Sequence, residues 1–289
     1  MSENSKTAWD RVQTARRADR PKTLDYINAL IDPWFEMHGD RAYADDAAMV
    51  GGIGRFRGRA VVVLGHQRGS DTKENLRRNF GMPRPEGYRK AKRIMELAAK
   101  FSYPLICFID TPAADPGMQS EERGQAQAIA ACLYTMANLP VPVVATVIGE
   151  GGSGGALAIS VADRLYMMEN AIYSVASPEA SATILWHDAS KAPLAAEAMK
   201  ITAQHLLEFG IIDGVVPEPD EGAHAEPAAA IATLGDYIAS ALSELDAKYR
   251  NGRAYKASAL IADRLEKYRR IGKWQEESRA ALSEIQPSS

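Results

Sequence analysis

The sequence predicts an α/β fold with a largely parallel sheet that is buried on both faces. Short apolar runs end in polar or glycine residues, and the stretches between them carry apolar residues at helical spacing. This alternation is typical of parallel sheets covered by helices. The apolar runs are Met49–Phe56, Ala60–Leu64, Pro104–Ile109 and Val141–Ile148, and the main helical stretches are Glu86–Phe101 and Glu121–Asn138.

The elements before the parallel strands are predicted to be a helical segment and a hairpin. Residues 1–45 are mainly polar with spaced apolar anchors, and Thr23 opens a pattern that predicts a helix running to Met37. The tripeptide Arg57-Gly58-Arg59 separates two apolar runs, which is a hairpin signal. Further along, the shorter candidates are the strands Leu165–Met168 and Ile172–Val175 and a small-residue helix over Gly154–Ala162.

Two amphipathic helices are predicted near the C-terminus. Apolar residues recur every three or four positions from Ile231 to Tyr249, and a second series runs from Leu260 to Ile271. We favour packing of these helices on the core over an oligomer interface. The chain thus divides into a helical segment 1–45, a core 46–220 and a C-terminal helical segment 221–289.

Composition excludes several classes of protein. The chain has 289 residues and a net charge of −3, which does not favour wholesale binding to nucleic acid. No apolar run approaches the roughly 20 residues of a membrane span, and the N-terminus lacks the apolar core of a secretion signal, so a cytoplasmic location is expected. Cys107 and Cys132 lie in apolar or helical patterns and predict buried thiols. With no CxxC or HExxH pattern and five scattered histidines, no metal site is predicted.

The densest motif is a glycine-rich string between a buried strand and a short helix. Glycine permits positive φ and close approach of a ligand to the backbone, and a helix N-terminus offers unpaired N–H groups. Such a turn can bind a phosphate or a developing oxyanion. No lysine follows, which excludes a P-loop; the alternative is a tight turn that needs glycine only for packing. The string is Gly149-Glu150-Gly151-Gly152-Ser153-Gly154-Gly155-Ala156.

A loop and a basic stretch lie at two other strand ends. The loop Asp110–Gly117 contains two prolines and a glycine, which indicates a fixed shape; Asp110 and Asp115 could act as bases, but a capping role for Asp110 is preferred. Residues 68–93 contain nine basic and three acidic residues, a net charge of +6. This concentration predicts either a solvated face or contact with an anionic partner, such as coenzyme phosphates or an acidic protein. Its candidates are Lys73, Arg77 and Arg78.

Several longer segments of the sequence are specific to one family. They are Gly39–Asp46, Arg78–Pro83 with Pro85–Ala91, Val147–Ile159, Tyr173–Val175, Ser177–Glu179, Lys191–Met199 and Gly222–His224. Together they resemble the alpha subunits of the bacterial acetyl-CoA carboxylase carboxyltransferase, and the resemblance covers roughly residues 9–260. Strings of this length are far more specific than short motifs.

The resemblance implies a crotonase-like fold, a ββα superhelix with flanking helices at both termini. It implies transfer of a carboxyl group from carboxybiotin, held on a biotin carboxyl carrier protein, to acetyl-CoA, giving malonyl-CoA for fatty acid or related acyl-chain synthesis. The backbone of Gly154, Gly155 and Ala156 would form the oxyanion hole that faces biotin. Gly151 and Gly152 would shape the turn, and Ala113 and Ala114 would complete the biotin-binding surface.

The resemblance also implies partners. A homologous beta subunit, which is zinc-bearing in this family, would supply the acyl-CoA site, and an α2β2 hetero-oligomer is expected. The lack of a four-cysteine motif here fits the alpha role. The family usually has Gly and Tyr where this chain has Ala113 and Asp115, and often Gly at the position of Ala180.

Other functions stay open at this stage. The chain could be a subunit of another acyl-CoA carboxylase or of a malonate decarboxylase, or a crotonase-fold partner without catalytic activity. It could also be an enoyl-CoA hydratase, which needs a pair of acids near the oxyanion donors. Glu150 is the only clear acid beside the glycines.

Overall fold

The computed structural model describes residues 6–272, which form one main sheet covered by helices. Its strands are β1 Ile31–Glu36, β2 Met49–Phe56, β3 Arg59–His66, β4 Leu105–Thr111, β5 Val143–Gly152, β6 Arg164–Met168, β7 Ile172–Ser174 and β8 Gly214–Val216, with β9 Arg250–Asn251 and β10 Ala254–Tyr255 in a separate hairpin. The helices are α1 Ala8–Ala15, α2 Thr23–Leu30, α3 Thr72–Arg77, α4 Pro85–Phe101, α5 Met118–Glu122, α6 Gln125–Ala137, α7 Ser153–Leu157, α8 Pro178–Trp186, α9 Ala192–Met199, α10 Ala203–Glu208, α11 Pro227–Tyr249 and α12 Ala257–Arg269.

The order of strands in the main sheet is β1-β2-β3-β4-β5-β6-β8, and β7 pairs with the end of β5. The first three strands are antiparallel, and the pairs from β3 to β8 are parallel. Strands β4 and β5 are buried along their whole length, as expected for central parallel strands covered on both faces. The predicted α/β fold with a largely parallel, buried sheet is therefore confirmed.

The predicted helix from Thr23 to Met37 is wrong in its second half. Helix α2 ends at Leu30, and the chain continues as β1, which pairs antiparallel with β2. Pro33 explains the change, because proline lacks the N–H of a helix interior but is tolerated in an edge strand. The segment 1–45 therefore gives an edge strand to the core sheet. The division into three segments remains a prediction.

The predicted hairpin and C-terminal helices are confirmed in position. Strands β2 and β3 are joined at Arg57 and Gly58, which both have positive φ. The apolar residues predicted for α11 are buried, and this helix contacts α2, β5 and β8. In α12 the periodicity misleads, because Leu265 is exposed while Arg264 is fully buried. Within residues 6–272, no helix has both the length and the apolar character that crossing a bilayer requires.

Candidate functional site

The glycine-rich string and the Asp110–Gly117 loop meet at the ends of two adjacent parallel strands. Strands β4 and β5 are paired up to Thr111 and Gly151. Beyond them, a Cβ added at Gly152 would lie 1.8 Å from the Pro112 carbonyl oxygen. The two segments therefore touch through their backbones, and the edge where they meet is where parallel sheets bind ligands.

Close packing, rather than unusual φ, accounts for these glycines. Gly149, Gly151, Gly152, Gly154 and Gly155 all lack positive φ. A Cβ at Gly151 would lie 2.6 Å from the Tyr173 ring, and one at Gly155 would lie 2.5 Å from Ala114 N. The residue of the string that does have positive φ is Ser153, at 52°. The expectation that glycine serves positive φ here is thus wrong, while close backbone approach is what the structure requires.

Backbone donors line this edge. The N–H groups of Gly154 and Gly155 lie in the first turn of α7 and have no acceptor inside that helix, whereas Ala156, predicted as a third donor, is the fourth residue, and its N–H pairs with the carbonyl of the N-cap Gly152. Gly154 faces open space, since an added Cβ would meet only Ile129, at 3.9 Å. The turn can therefore present N–H groups to a ligand from one side while Gly155 packs tightly on the other.

A mainly apolar cavity of about 480 Å³ opens beside Ser153 and Gly154. A cavity of this size and lining suits a small ring system with a few polar atoms. The sequence did not predict it, because its walls come from several separate strands, loops and helices. They include Tyr173, Val175, Met199, Leu206, Phe209 and Ile211.

Glu150 is not free to act as an acid. Its carboxylate accepts hydrogen bonds from Arg16, with Oε1 2.7 Å from Nη2, and lies 3.3 Å from Arg68. Arg16 also pairs with Glu179 at the start of α8. Only 7% of the Glu150 side chain is exposed. This network fixes the residue that precedes the glycines, and it removes the acid on which a hydratase function depended.

Asp110 supports the same segment from the neighbouring strand. Its Oδ1 accepts a hydrogen bond from the Glu150 N–H, 3.0 Å away. Burial raises the pKa of this carboxyl above its ordinary value, although Arg68 opposes the rise. Asp110 therefore caps the end of β5 rather than its own loop.

The residues that depart from the family pattern are accommodated without backbone strain. Ala113 is not among the residues with positive φ. Asp115 accepts hydrogen bonds from Ser120 and from Asn79, whose Nδ2 is 3.0 Å away. Burial acts against ionisation of Asp115, but these hydrogen bonds lower its pKa. Asp115 thus tethers the Asp110–Gly117 loop.

The basic stretch is largely neutralised by acids from elsewhere in the fold. Arg89 pairs with Asp40 and Glu86, and Lys90 pairs with Asp45. Arg78 is buried, and its guanidinium binds Glu74 and the Ala47 carbonyl. Arg78 therefore serves structure, which corrects its prediction as a partner contact. Lys73 and Arg77 are exposed on α3 and remain candidates.

We expect Lys73→Ala combined with Arg77→Ala to weaken binding of an anionic partner or substrate and to flatten its dependence on salt. Attraction between exposed charges is screened over about 10 Å at 0.1 M salt, so affinity at low salt should fall most. Binding measured at two ionic strengths checks this. Arg78→Ala is the contrasting variant, because it should lower thermal stability instead. Equal affinities of the double variant and the wild type at both ionic strengths would mean that α3 is exposed to solvent and does not contact an anionic partner.

Comparison with known proteins identifies the family. A family model described as acetyl co-enzyme A carboxylase carboxyltransferase-like matches residues 3–272. The chain belongs to this family. A relative from Heliobacterium modesticaldum, an acetyl-coenzyme A carboxylase carboxyl transferase subunit alpha, is 58% identical over 266 residues, covering 92% of this chain and 77% of the relative. A relative of the same name from Thermus thermophilus is 52% identical over 270 residues, covering 93% and 83%. The resemblance stated from the sequence is confirmed.

Solved structures confirm the crotonase-like fold of the family. A transcarboxylase 12S structure superposes with a TM-score of 0.64 at 21% identity, covering 81% of this chain and 44% of that chain. A Pseudomonas malonate decarboxylase hetero-dimer gives a TM-score of 0.60 at 18% identity, covering 78% and 91%. At these identities, both structural similarities establish the fold and nothing more. Membership of the family favours the acetyl-CoA carboxylase function over the malonate decarboxylase alternative.

The sequence predicted the glycine-rich turn but not the side chains that pack against it or pair with Glu150. Arg16 reaches it from a distant part of the chain and is marked by no local motif, and Tyr173 belongs to a string specific to the family but was not predicted to line the site. Among residues 6–272, no group of three or more His, Cys, Asp or Glu side chains is placed to hold a metal ion.

Proposed function

We propose that the glycine-rich turn is the biotin-side half of a carboxyltransferase site, completed by a second subunit. The chain is an alpha subunit of the acetyl-CoA carboxylase carboxyltransferase family, whose reaction moves a carboxyl group from carboxybiotin to acetyl-CoA to give malonyl-CoA. The observation that carries the proposal is the backbone contact of the turn with Ala113 and Ala114, beside the apolar cavity. Residues Gly151, Gly152, Gly154, Gly155 and Ala156 make up the turn.

The proposed reaction depends on backbone N–H groups rather than on catalytic side chains. Bound carboxybiotin supplies the carboxyl group, and negative charge develops on its ureido oxygen as that group leaves. The free N–H groups of Gly154 and Gly155 at the start of α7 would stabilise such charge. The cavity beside them is mainly apolar, but Phe209 in its wall is 53% exposed, so exclusion of water would depend on the docked partner. No histidine or serine catalyst from this chain is then required.

An exposed apolar surface beside the cavity supports docking of a beta subunit. Val175 lines the cavity and is 84% exposed, and Ile184 on α8 is 73% exposed. Leu185 on α8 and Leu194 on α9, a helix that contacts α8, are also exposed, and we call these exposed residues of α8 and α9 the α8–α9 face. Clusters of exposed apolar side chains mark interaction sites. A beta subunit on this face is the occupant that family membership favours.

We expect Ile184→Asp to weaken assembly with the beta subunit by at least about tenfold, because a charge would be buried in an apolar contact. Analytical ultracentrifugation of the mixed subunits measures this. Tyr134→Asp is the matched control, since Tyr134 on α6 is also highly exposed but lies outside the α8–α9 face. Equal loss of assembly in both variants, or none in Ile184→Asp, would place the partner elsewhere.

Activity should depend on both subunits. We expect the purified chain to catalyse no transfer between malonyl-CoA and biotin, and addition of a zinc-bearing beta subunit to restore it, because the acyl-CoA site lies on that partner. A spectrophotometric assay of acetyl-CoA formation measures the rate. Comparable turnover before and after addition would refute the split site.

The remaining parts of the proposal follow from the same family reaction. The donor is carried by a biotin carboxyl carrier protein, and we infer an α2β2 hetero-oligomer. Mass measurement of the assembled subunits tests the stoichiometry. The cytoplasmic location stays a prediction.

A further inference from the structure

Two buried polar side chains border Gly155. Tyr88 lies on α4 and His66 at the end of β3, and both are fully buried. The His66 ring interacts with the Gly155 backbone, whereas among residues 6–272 the Tyr88 hydroxyl has no hydrogen-bond partner. Buried polar groups are nearly always partnered, so the Tyr88 hydroxyl calls for an explanation.

The Tyr88 hydroxyl lies where the two backbone segments of the site meet. An ideal Cβ built on Gly155 would lie 3.0 Å from Tyr88 Oη, 2.5 Å from Ala114 N and 2.7 Å from Ala113 C. The hydroxyl therefore flanks the same side of Gly155 as the Ala113–Ala114 peptide. It occupies space that decides how closely the two segments approach.

His66 borders the same residue from the sheet. Its ring lies against the Gly155 backbone, and burial lowers its pKa to about 3. The imidazole is therefore neutral at physiological pH. The layer beneath Gly155 thus has hydrogen-bonding capacity but no charge.

We propose that Tyr88 is a positioning residue for the carboxyltransferase reaction, its hydroxyl setting the separation between Gly155 and the Ala113–Ala114 peptide. This rests on the proposed role of the glycine-rich turn. The unpartnered hydroxyl does not add to stability, because an unmade buried hydrogen bond costs free energy. Donors aimed at developing charge lose their effect when misplaced by a fraction of an ångström, so a group that fixes their spacing matters for turnover.

The test is Tyr88→Phe in the complex reconstituted with the beta subunit. We expect kcat to fall by tenfold or more, KM for malonyl-CoA to stay within about twofold, and the melting temperature to hold or rise. If the hydroxyl had no part in the reaction, kcat would stay unchanged, and the melting temperature would again hold or rise because an unpartnered hydroxyl adds nothing to packing.

Tyr26→Phe is the matched control. Tyr26 is also fully buried with an unpartnered hydroxyl, but it stacks on Phe108, and none of the three atoms nearest to a Cβ added at Gly155 belongs to it. We expect its kcat to be unchanged. Unchanged kcat in Tyr88→Phe, an equal fall in both variants, or a change confined to KM would overturn the inference. Gly155→Ala separates the two claims: if it is inactive while Tyr88→Phe is fully active, the site stands and the role of Tyr88 fails.

Discussion

Gly155→Ala is expected to lower kcat of the reconstituted complex by about 10²–10³-fold, the usual cost of one lost oxyanion donor. The added Cβ would lie 2.5 Å from Ala114 N and 2.7 Å from Ala113 C. Both neighbours are backbone atoms, so the two segments must separate rather than a side chain turn aside. The donors then miss the position at which charge develops. Steady-state assays measure the loss, and circular dichroism should stay native-like because the shift is local.

Gly214→Ala is the matched control for this prediction. Gly214 lies on β8, outside the candidate site, and its added Cβ would meet only the Tyr166 ring, at 3.2 Å. We expect turnover of this variant within about tenfold of wild type, equivalent to roughly 1.4 kcal/mol. If Gly155→Ala also stayed within that range, the assignment of the oxyanion donors would be wrong.

Arg264→Met is expected to lower the free energy of unfolding by about 3–5 kcal/mol, because it breaks a buried ion pair from one side. The Arg264 guanidinium holds Asp163 through two hydrogen bonds of 2.7 and 2.9 Å. It also donates to three backbone carbonyls, that of Met136 in the last turn of α6 and those of Leu139 and Val141 between α6 and β5. The substitution leaves these acceptors without their donor. Denaturant unfolding of both proteins measures the difference.

Arg270→Met is the comparison within the same helical region. Arg270 pairs with Glu266, but 77% of its side chain is exposed. Exposed pairs contribute about 0–1 kcal/mol, so this variant should unfold close to wild type. Similar destabilisation by the two substitutions would mean that Arg264 does not hold α12 on the core.

The sequence predicted the parts of the fold whose signals are local. The runs that became β4 and β5 are continuous and apolar, so their burial could be predicted. The hairpin was marked by Arg57-Gly58-Arg59. Strand β1 was not predicted because its apolar residues also fit helical spacing. Pro33, which is disfavoured in a helix interior, is the local signal against a helix there.

The candidate site was predictable in its backbone but not in its supports. Glycines at 151, 152 and 155 marked a place where chain segments approach closely, although which segment approaches them depends on tertiary structure. Arg16 lies 134 residues from Glu150 in the chain, so their pairing leaves no pattern in either local sequence. Arg264 lies on an amphipathic helix, and its burial is explained by Asp163 and three backbone carbonyls, which the local sequence does not mark.

The fate of the malonyl-CoA carboxyl group shows whether the reconstituted subunits transfer it to biotin or simply release it as CO₂. Malonyl-CoA labelled in its free carboxyl carbon is incubated with the reconstituted subunits, with and without biotin. We expect acetyl-CoA to form only when biotin is present and the label to appear on biotin. Gly155→Ala should suppress both acetyl-CoA formation and labelling of biotin. Release of labelled CO₂ at the same rate without biotin, with biotin left unlabelled, would contradict transfer to biotin.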